Sequence, residues 1–107
     1  MNKAEYLTAG RHLREIRESL GLTLKNVEEQ SRRIVEIQQD SYYLITAGRL
    51  SQIENSNSLP SLYKLATLSF IYKLPLTEMF RIYGVEIQGA EPEQEIVSKE
   101  DPIPSPI

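Results

Sequence analysis

Cysteine and tryptophan are absent from this 107-residue chain, and histidine occurs once, at His12. The lack of cysteine excludes disulfides and thiol nucleophiles, and a lone histidine leaves no ordinary zinc ligand set. No segment approaches the roughly 18 to 20 apolar residues that a membrane span needs. The opening stretch MNKAEYLTAGRHLREIRESL also has no apolar core of the signal-peptide type. Composition therefore predicts a soluble, cytoplasmic protein. Its length is that of one domain, able to bury a modest core without metal or disulfide support. No internal repeat is present, and no nucleophile, base or metal set converges anywhere, so an enzyme, a cofactor and a small-molecule substrate are not expected.

The net charge is −3, but it is unevenly spread. Residues 1–85 hold 11 Lys and Arg against 9 Asp and Glu, a balance of +2, whereas residues 86–107 hold one Lys against six acids, a balance of −5. Four of the six prolines also lie in that last stretch, which has few large apolar residues. This composition predicts a disordered acidic tail. The acidity belongs to the tail, and whether the rest can hold phosphate depends on where its cations cluster.

Periodicity and punctuation predict five helices. The first is expected from Ala9 to Leu20, with Thr8 as its cap, Gly21 ending it in a left-handed conformation, and Leu13, Ile16 and Leu20 as its apolar stripe. Arg11, Arg14 and Arg17 recur beside that stripe and read as a solvated or salt-bridged flank. The second helix starts after Thr23 and continues to Glu36 or Gln38, because nothing from Lys25 to Gln39 is Gly or Pro; Leu24, Val27 and Ile34 are its inward positions. Asp40-Ser41 breaks the chain, and Tyr42-Tyr43-Leu44-Ile45 favours extended or tightly packed geometry. A fourth helix is expected from Pro60 to Tyr72 with Leu62, Leu65, Leu68 and Ile71 inward, and a fifth from Pro75, carrying Leu76, Met79, Phe80 and Tyr83, to a stop at Gly84.

Between these lies the most informative stretch, TAGRLSQIENSNSLPSLYKL, residues 46–65. Thr46 can cap a helix over about Ala47 to Asn55 whose apolar face is Leu50 and Ile53, while Arg49, Gln52 and Asn55 project elsewhere. The polar run Asn55-Ser56-Asn57-Ser58 then stops it, since short polar side chains compete for backbone hydrogen bonds. This stretch resembles the third helix and following turn of the Cro/phage-repressor, or Xre-type, helix-turn-helix family. Gly21-Leu22-Thr23 opening helix two, Ile53-Glu54-Asn55 closing helix three and Leu59-Pro60-Ser61 before helix four extend the likeness from Gly10 to Val85. The resemblance implies an all-α, five-helix repressor-like DNA-binding domain over residues 1–85, followed by the tail at 86–107.

Three departures from the family pattern stand out. Ser31 to Ile45 is longer by roughly a dozen residues than the family's short turn, which predicts an extended second helix. Where the family favours a small alanine against helix three, this chain has Glu28, or Ser31 if the alignment shifts by one helical turn. Ser56-Asn57 replaces a common Gly-Lys and removes one basic phosphate contact.

In this family the start of helix three enters the major groove. The matching positions are Thr46, Ala47, Gly48, Arg49 and Gln52; Arg49 has the donor geometry for guanine and Gln52 that for adenine, the alternative being a solvated face. Ala47 and Gly48 allow close approach but carry no base-reading donor. Thr23 and Lys25 stand at the start of helix two, where amides and helix dipole favour phosphate. Arg32 and Arg33, in the insertion, either reach the DNA backbone or pair with Glu28, Glu29 or Glu36. Asn55 and Asn57 match positions that meet phosphates, and Glu54 is expected to hold Arg17 or Arg14. Tyr42 and Tyr43 read as insertion core, dimer contact or stacking surface.

The function these features predict is a sequence-specific, bacterial-style transcriptional regulator binding double-stranded DNA as a homodimer, with no catalysis. The competing expectation is an antitoxin-like or adaptor module that uses the same fold to bind protein.

Overall fold

The computed structural model describes residues 3–56 and 58–86, with side chains from residue 9 onward. Asn57 and the acidic stretch from residue 87 lie outside these residues. The described chain is all-helical: α1 (Lys3–Ser19), α2 (Leu24–Gln38), a 3-10 turn (Ser41–Tyr43), α3 (Ala47–Asn55), α4 (Leu62–Tyr72) and α5 (Leu76–Ile82).

Local chemistry accounts for most boundaries. Thr23 and Asn26 form a reciprocal capping box at the start of α2, the Thr23 hydroxyl accepting from the Asn26 amide at 3.0 Å and the Asn26 side chain from the Thr23 amide at 2.9 Å. Thr46 caps α3 in the same way, accepting from Arg49 N–H at 3.1 Å, and Ser61 caps α4 through Lys64 N–H at 3.3 Å. Gly21 and Gly84, past the ends of α1 and α5, have φ of 73° and 83°. Gln39 and Lys73 take the same left-handed conformation after α2 and α4 without being glycine.

The structure corrects four expectations. Helix α1 begins at Lys3, so Thr8 is inside it and not its cap; no Gly or Pro in Lys3–Thr8 halts the helix upstream of Ala9. Pro60 is buried ahead of α4, and Ser61 takes the capping role, starting the helix at Leu62. Pro75 likewise stands one place before α5. Leu20 and Leu62, both expected inward, are 47% and 62% exposed, because each sits at a helix end beyond the reach of a packing partner.

The core is a single cluster in which Leu13, Val27, Ile45, Leu50, Leu68 and Met79 are fully inaccessible, with Ile53, Leu65, Ile71 and Tyr72 around them. Helices α1 and α2 both pack on α3, α4 covers α2 and the 3-10 turn, and α5 rests on α4. Ser31 is fully buried, and its hydroxyl accepts from the Ile45 amide at 3.0 Å. That bond sets where the insertion ends and α3 begins. The insertion's own anchor is aromatic: Tyr43 meets Tyr63 of α4 edge-on at 5.0 Å, and Tyr42 meets it at 5.2 Å. Thr67 adds a hydrogen bond to the Tyr43 carbonyl at 2.8 Å.

Candidate nucleic-acid interface

Helix α3 has two unlike faces. Leu50, Ile53 and Glu54 are buried, while Thr46, Gly48, Arg49, Gln52 and Asn55 are exposed and Ala47 is half-exposed. Residues 48, 52 and 49, 52, 55 are neighbours at helical spacing, so the exposed set forms one continuous strip. Within it Arg49 Nη1 donates to Gln52 Oε1 at 3.1 Å. This bond orients both side chains and leaves the Gln52 amide hydrogens and the rest of the guanidinium pointing outward. Around Gly48 an added Cβ would meet no atom within 4 Å, so the strip is open at its N-terminal end. Asn55 donates to the Ser51 carbonyl at 2.8 Å and closes the other end.

The start of α3 is held from α2. Glu28 accepts from the Ala47 amide at 2.8 Å and also receives Arg32, four residues along α2. A carboxylate at a helix N-terminus complements the positive end of the helix dipole. The Ala47 N–H, then Arg32, hold the Glu28 carboxyl below its ordinary value of 4.5. Lys25 contributes in the same direction. Lys25, Glu28 and Arg32 therefore share the face of α2 that borders the start of α3. Arg33 points elsewhere, exposed, and forms no ion pair among the described residues.

Because the folded-state value of Glu28 is depressed, its contribution is full above about pH 4.5 and is lost as pH falls through the lower folded value. Glu28→Gln should thus lower the melting temperature at neutral pH, and the gap from the parent should narrow as pH falls below about 4.5. Melting curves of both proteins from pH 3 to 7 check this; a gap that persists unchanged at pH 3 would show that the carboxylate's charge is not what holds α3.

Sequence reasoning missed two residues here. Glu28 was expected as an i+4 partner for Arg32, which it is, but nothing local in α2 reveals that it also accepts from an amide 19 residues away. Lys64 of α4 is the other. Its ammonium donates to the Leu44 carbonyl at 2.9 Å. Burial, and then Arg49, lower its pKa, which places a further cation beside the α3 strip.

Beneath the strip, Glu54 receives Arg17 through two parallel bonds, Nε to Oε2 at 2.7 Å and Nη2 to Oε1 at 2.9 Å. The guanidinium also donates to the Leu22 carbonyl at 2.9 Å. Of the two candidates for Glu54, Arg17 is the partner, while Arg14 pairs with Glu18 on the surface at 3.1 Å.

Among the described residues no group of three or more His, Asp or Glu side chains is placed to hold a metal, and no helix is long and apolar enough to cross a membrane. Comparison with protein-family models, with curated proteins and with solved structures finds no match to this chain.

Proposed function

We propose that this protein is a sequence-specific DNA-binding regulator of the Xre-type helix-turn-helix arrangement, working by occupancy and without chemistry of its own. The observation that carries the reading is the exposed strip of Gly48, Arg49, Gln52 and Asn55 on α3, flanked at its start by Lys25 and Arg32. Such a strip fits a major groove, with Arg49 and Gln52 reading base edges and the flanking cations meeting phosphates. Thr23 uses its hydroxyl within the capping box, so its side chain serves α2, and the Leu24 and Lys25 amides remain without intrahelical acceptors for a phosphate. The small side chains of Ala47 and Gly48 allow close approach and limit base readout to about two positions. One such domain covers half of a two-fold site, so a homodimer is the expected bound form.

Fluorescence anisotropy with duplex DNA at several salt concentrations tests this. The logarithm of the binding constant should fall with the logarithm of salt by about 0.9 per phosphate contact, with roughly four or more contacts for a dimer. Arg49→Ala should relax preference at one base position at a cost of about 1 to 3 kcal/mol. An equal loss on all sequences would reassign Arg49 to the backbone. No binding at low salt and micromolar protein would sink the regulator reading.

A second reading, an adaptor module, has its own observation. The extended α2 and α4 enclose an apolar groove of about 320 Å³ lined by Ile34, Ile37, Tyr43, Ala66, Thr67 and Phe70. Ile37 and Phe70 on its rim are 76% and 74% exposed, more than isolated surface residues of this kind need be. Absence of duplex binding in the experiment above would favour this reading.

A further inference from the structure

We infer that the hollow between α1 and the C-terminal end of α3 is a second anion site, one that takes a single phosphodiester group of a nucleic-acid backbone between Arg11 and Arg14. The hollow encloses about 210 Å³ and is lined by Arg11, Arg14, Glu54, Asn55 and Ser56. It adjoins the α3 strip through Asn55, so it extends that surface onto α1. The inference rests on the proposed DNA-binding reading for the identity of its ligand, and on geometry alone for its preference for an anion.

Several features combine there. Arg11 and Arg14, three residues apart, share one flank of α1. Gly10 brings that flank close: α1 passes so near α3 that a Cβ at residue 10 would lie 2.5 Å from the Glu54 carbonyl oxygen. The C-terminal end of α3 carries the negative end of its dipole, which favours cations and opposes an anion, so both guanidiniums are needed to make the hollow attractive to phosphate. Glu54, the acidic group in the lining, already receives Arg17 through both oxygens and does not need Arg11 or Arg14. Arg11 makes no ion pair among the described residues. Arg14 is held by Glu18, but both side chains of that pair are 54% exposed, and a pair in that setting contributes little and exchanges readily. A phosphate offers Arg14 a stronger, two-pronged acceptor. Asn55 and the Ser56 hydroxyl supply polar edges to the same hollow.

The site explains why the α1 arginines belong to binding and not only to solubility. A chain whose loop lacks the basic residue after Glu54-Asn55 has its cations for that end of the helix on α1 instead.

The test uses the full chain. Arg11→Gln/Arg14→Gln should weaken binding to any mixed-sequence duplex by about tenfold at low salt and make the log–log salt dependence shallower by about 0.9 per bound chain, with no change in base preference. Arg81→Gln removes one positive charge from α5, where Arg81 pairs with Glu78 and Glu86, and should leave the slope unchanged. Glu18→Gln, which frees Arg14, should tighten binding about two- to threefold. Circular dichroism establishes that each variant is folded. A double variant whose affinity and slope match the parent overturns the inference while leaving the DNA-binding reading intact. If the parent binds no duplex, inorganic phosphate titrated against the labelled protein decides the anion site separately. Saturable shifts of the Arg11 and Arg14 Nε–H resonances sustain it, and their absence overturns it.

Discussion

Gly10→Ala is expected to destabilise the protein by at least about 2 kcal/mol, although alanine is favoured over glycine inside a helix by roughly 1 kcal/mol. The added Cβ would lie 2.5 Å from the Glu54 oxygen, 2.8 Å from the Glu54 carbonyl carbon and 2.8 Å from the Ile53 oxygen. All three are backbone atoms at the C-terminal end of α3, which no side-chain rotation can move aside. Relief requires α1 and α3 to separate, opening the contact over Leu13, Leu50 and Ile53. For a domain of this size the loss corresponds to about 10 °C or more in melting temperature. Gly48→Ala should do the opposite. Position 48 is helical with open space around it, so alanine should stabilise by about 0.5 to 1 kcal/mol. Thermal denaturation of the two variants side by side is the measurement. A Gly10→Ala protein as stable as its parent would mean that α1 and α3 are not at backbone contact.

The other large effect is at the buried ion pair. Glu54→Ala should cost about 3 to 5 kcal/mol, a large share of the roughly 5 to 15 kcal/mol that keeps a domain folded. The side chains of Arg17 and Glu54 are 9% and 3% exposed, so removing the acid leaves a guanidinium with little water to replace it. The hydrogen bonds that Arg17 donates to Glu54 raise its pKa in spite of burial, so Arg17 does not escape by losing its proton. Without Glu54, the Leu22 carbonyl at 2.9 Å and Glu18 at 4.0 Å are what remain to Arg17. The Tyr72 hydroxyl, close enough to feel both charges, is itself buried without a hydrogen-bond partner, and burial pushes its pKa well up. Replacing both members, Arg17→Met with Glu54→Leu, should recover most of the loss, since no charge is left behind. A urea-unfolding double-mutant cycle measures this coupling. A Glu54→Ala cost below about 1 kcal/mol would show that water reaches Arg17 after all.

Both effects meet at the same place, the seam of α1 and α3, and that seam was only partly legible in the sequence. The Glu54 partner could be narrowed to Arg17 or Arg14 because an acid, repelled from phosphate, calls for a cation of its own. Choosing between them required the crossing of the two helices, which puts position 17 over Glu54; Arg14 pairs within α1, with Glu18 four residues on. Gly10 carried no reading beyond marking where the resemblance begins, and the reason a glycine is needed there lies 43 and 44 residues away at Ile53 and Glu54. Of the α3 strip, Arg49, Gln52 and Asn55 were legible from spacing. Their neighbours Lys64 and Glu28 were not, because each comes from a different helix.

By itself the sequence determined the five α-helices among the described residues, many of their ends and the polar strip of α3. These follow from interactions of short range: the hydroxyls of Thr23, Thr46 and Ser61 accept from amides three residues on, Gly21 and Gly84 take left-handed conformations after a last turn, and apolar residues repeat at helical spacing. Tertiary structure alone decided that Leu20 and Leu62 stay exposed, that Ser31 is buried, that Glu28 accepts from the Ala47 amide at the start of α3, and that Arg11 and Arg14 gather beside Asn55. Burial and charge environment depend on which helices cross and how closely. Packing over dozens of residues of separation sets those distances, and no local pattern in the chain encodes them one residue at a time.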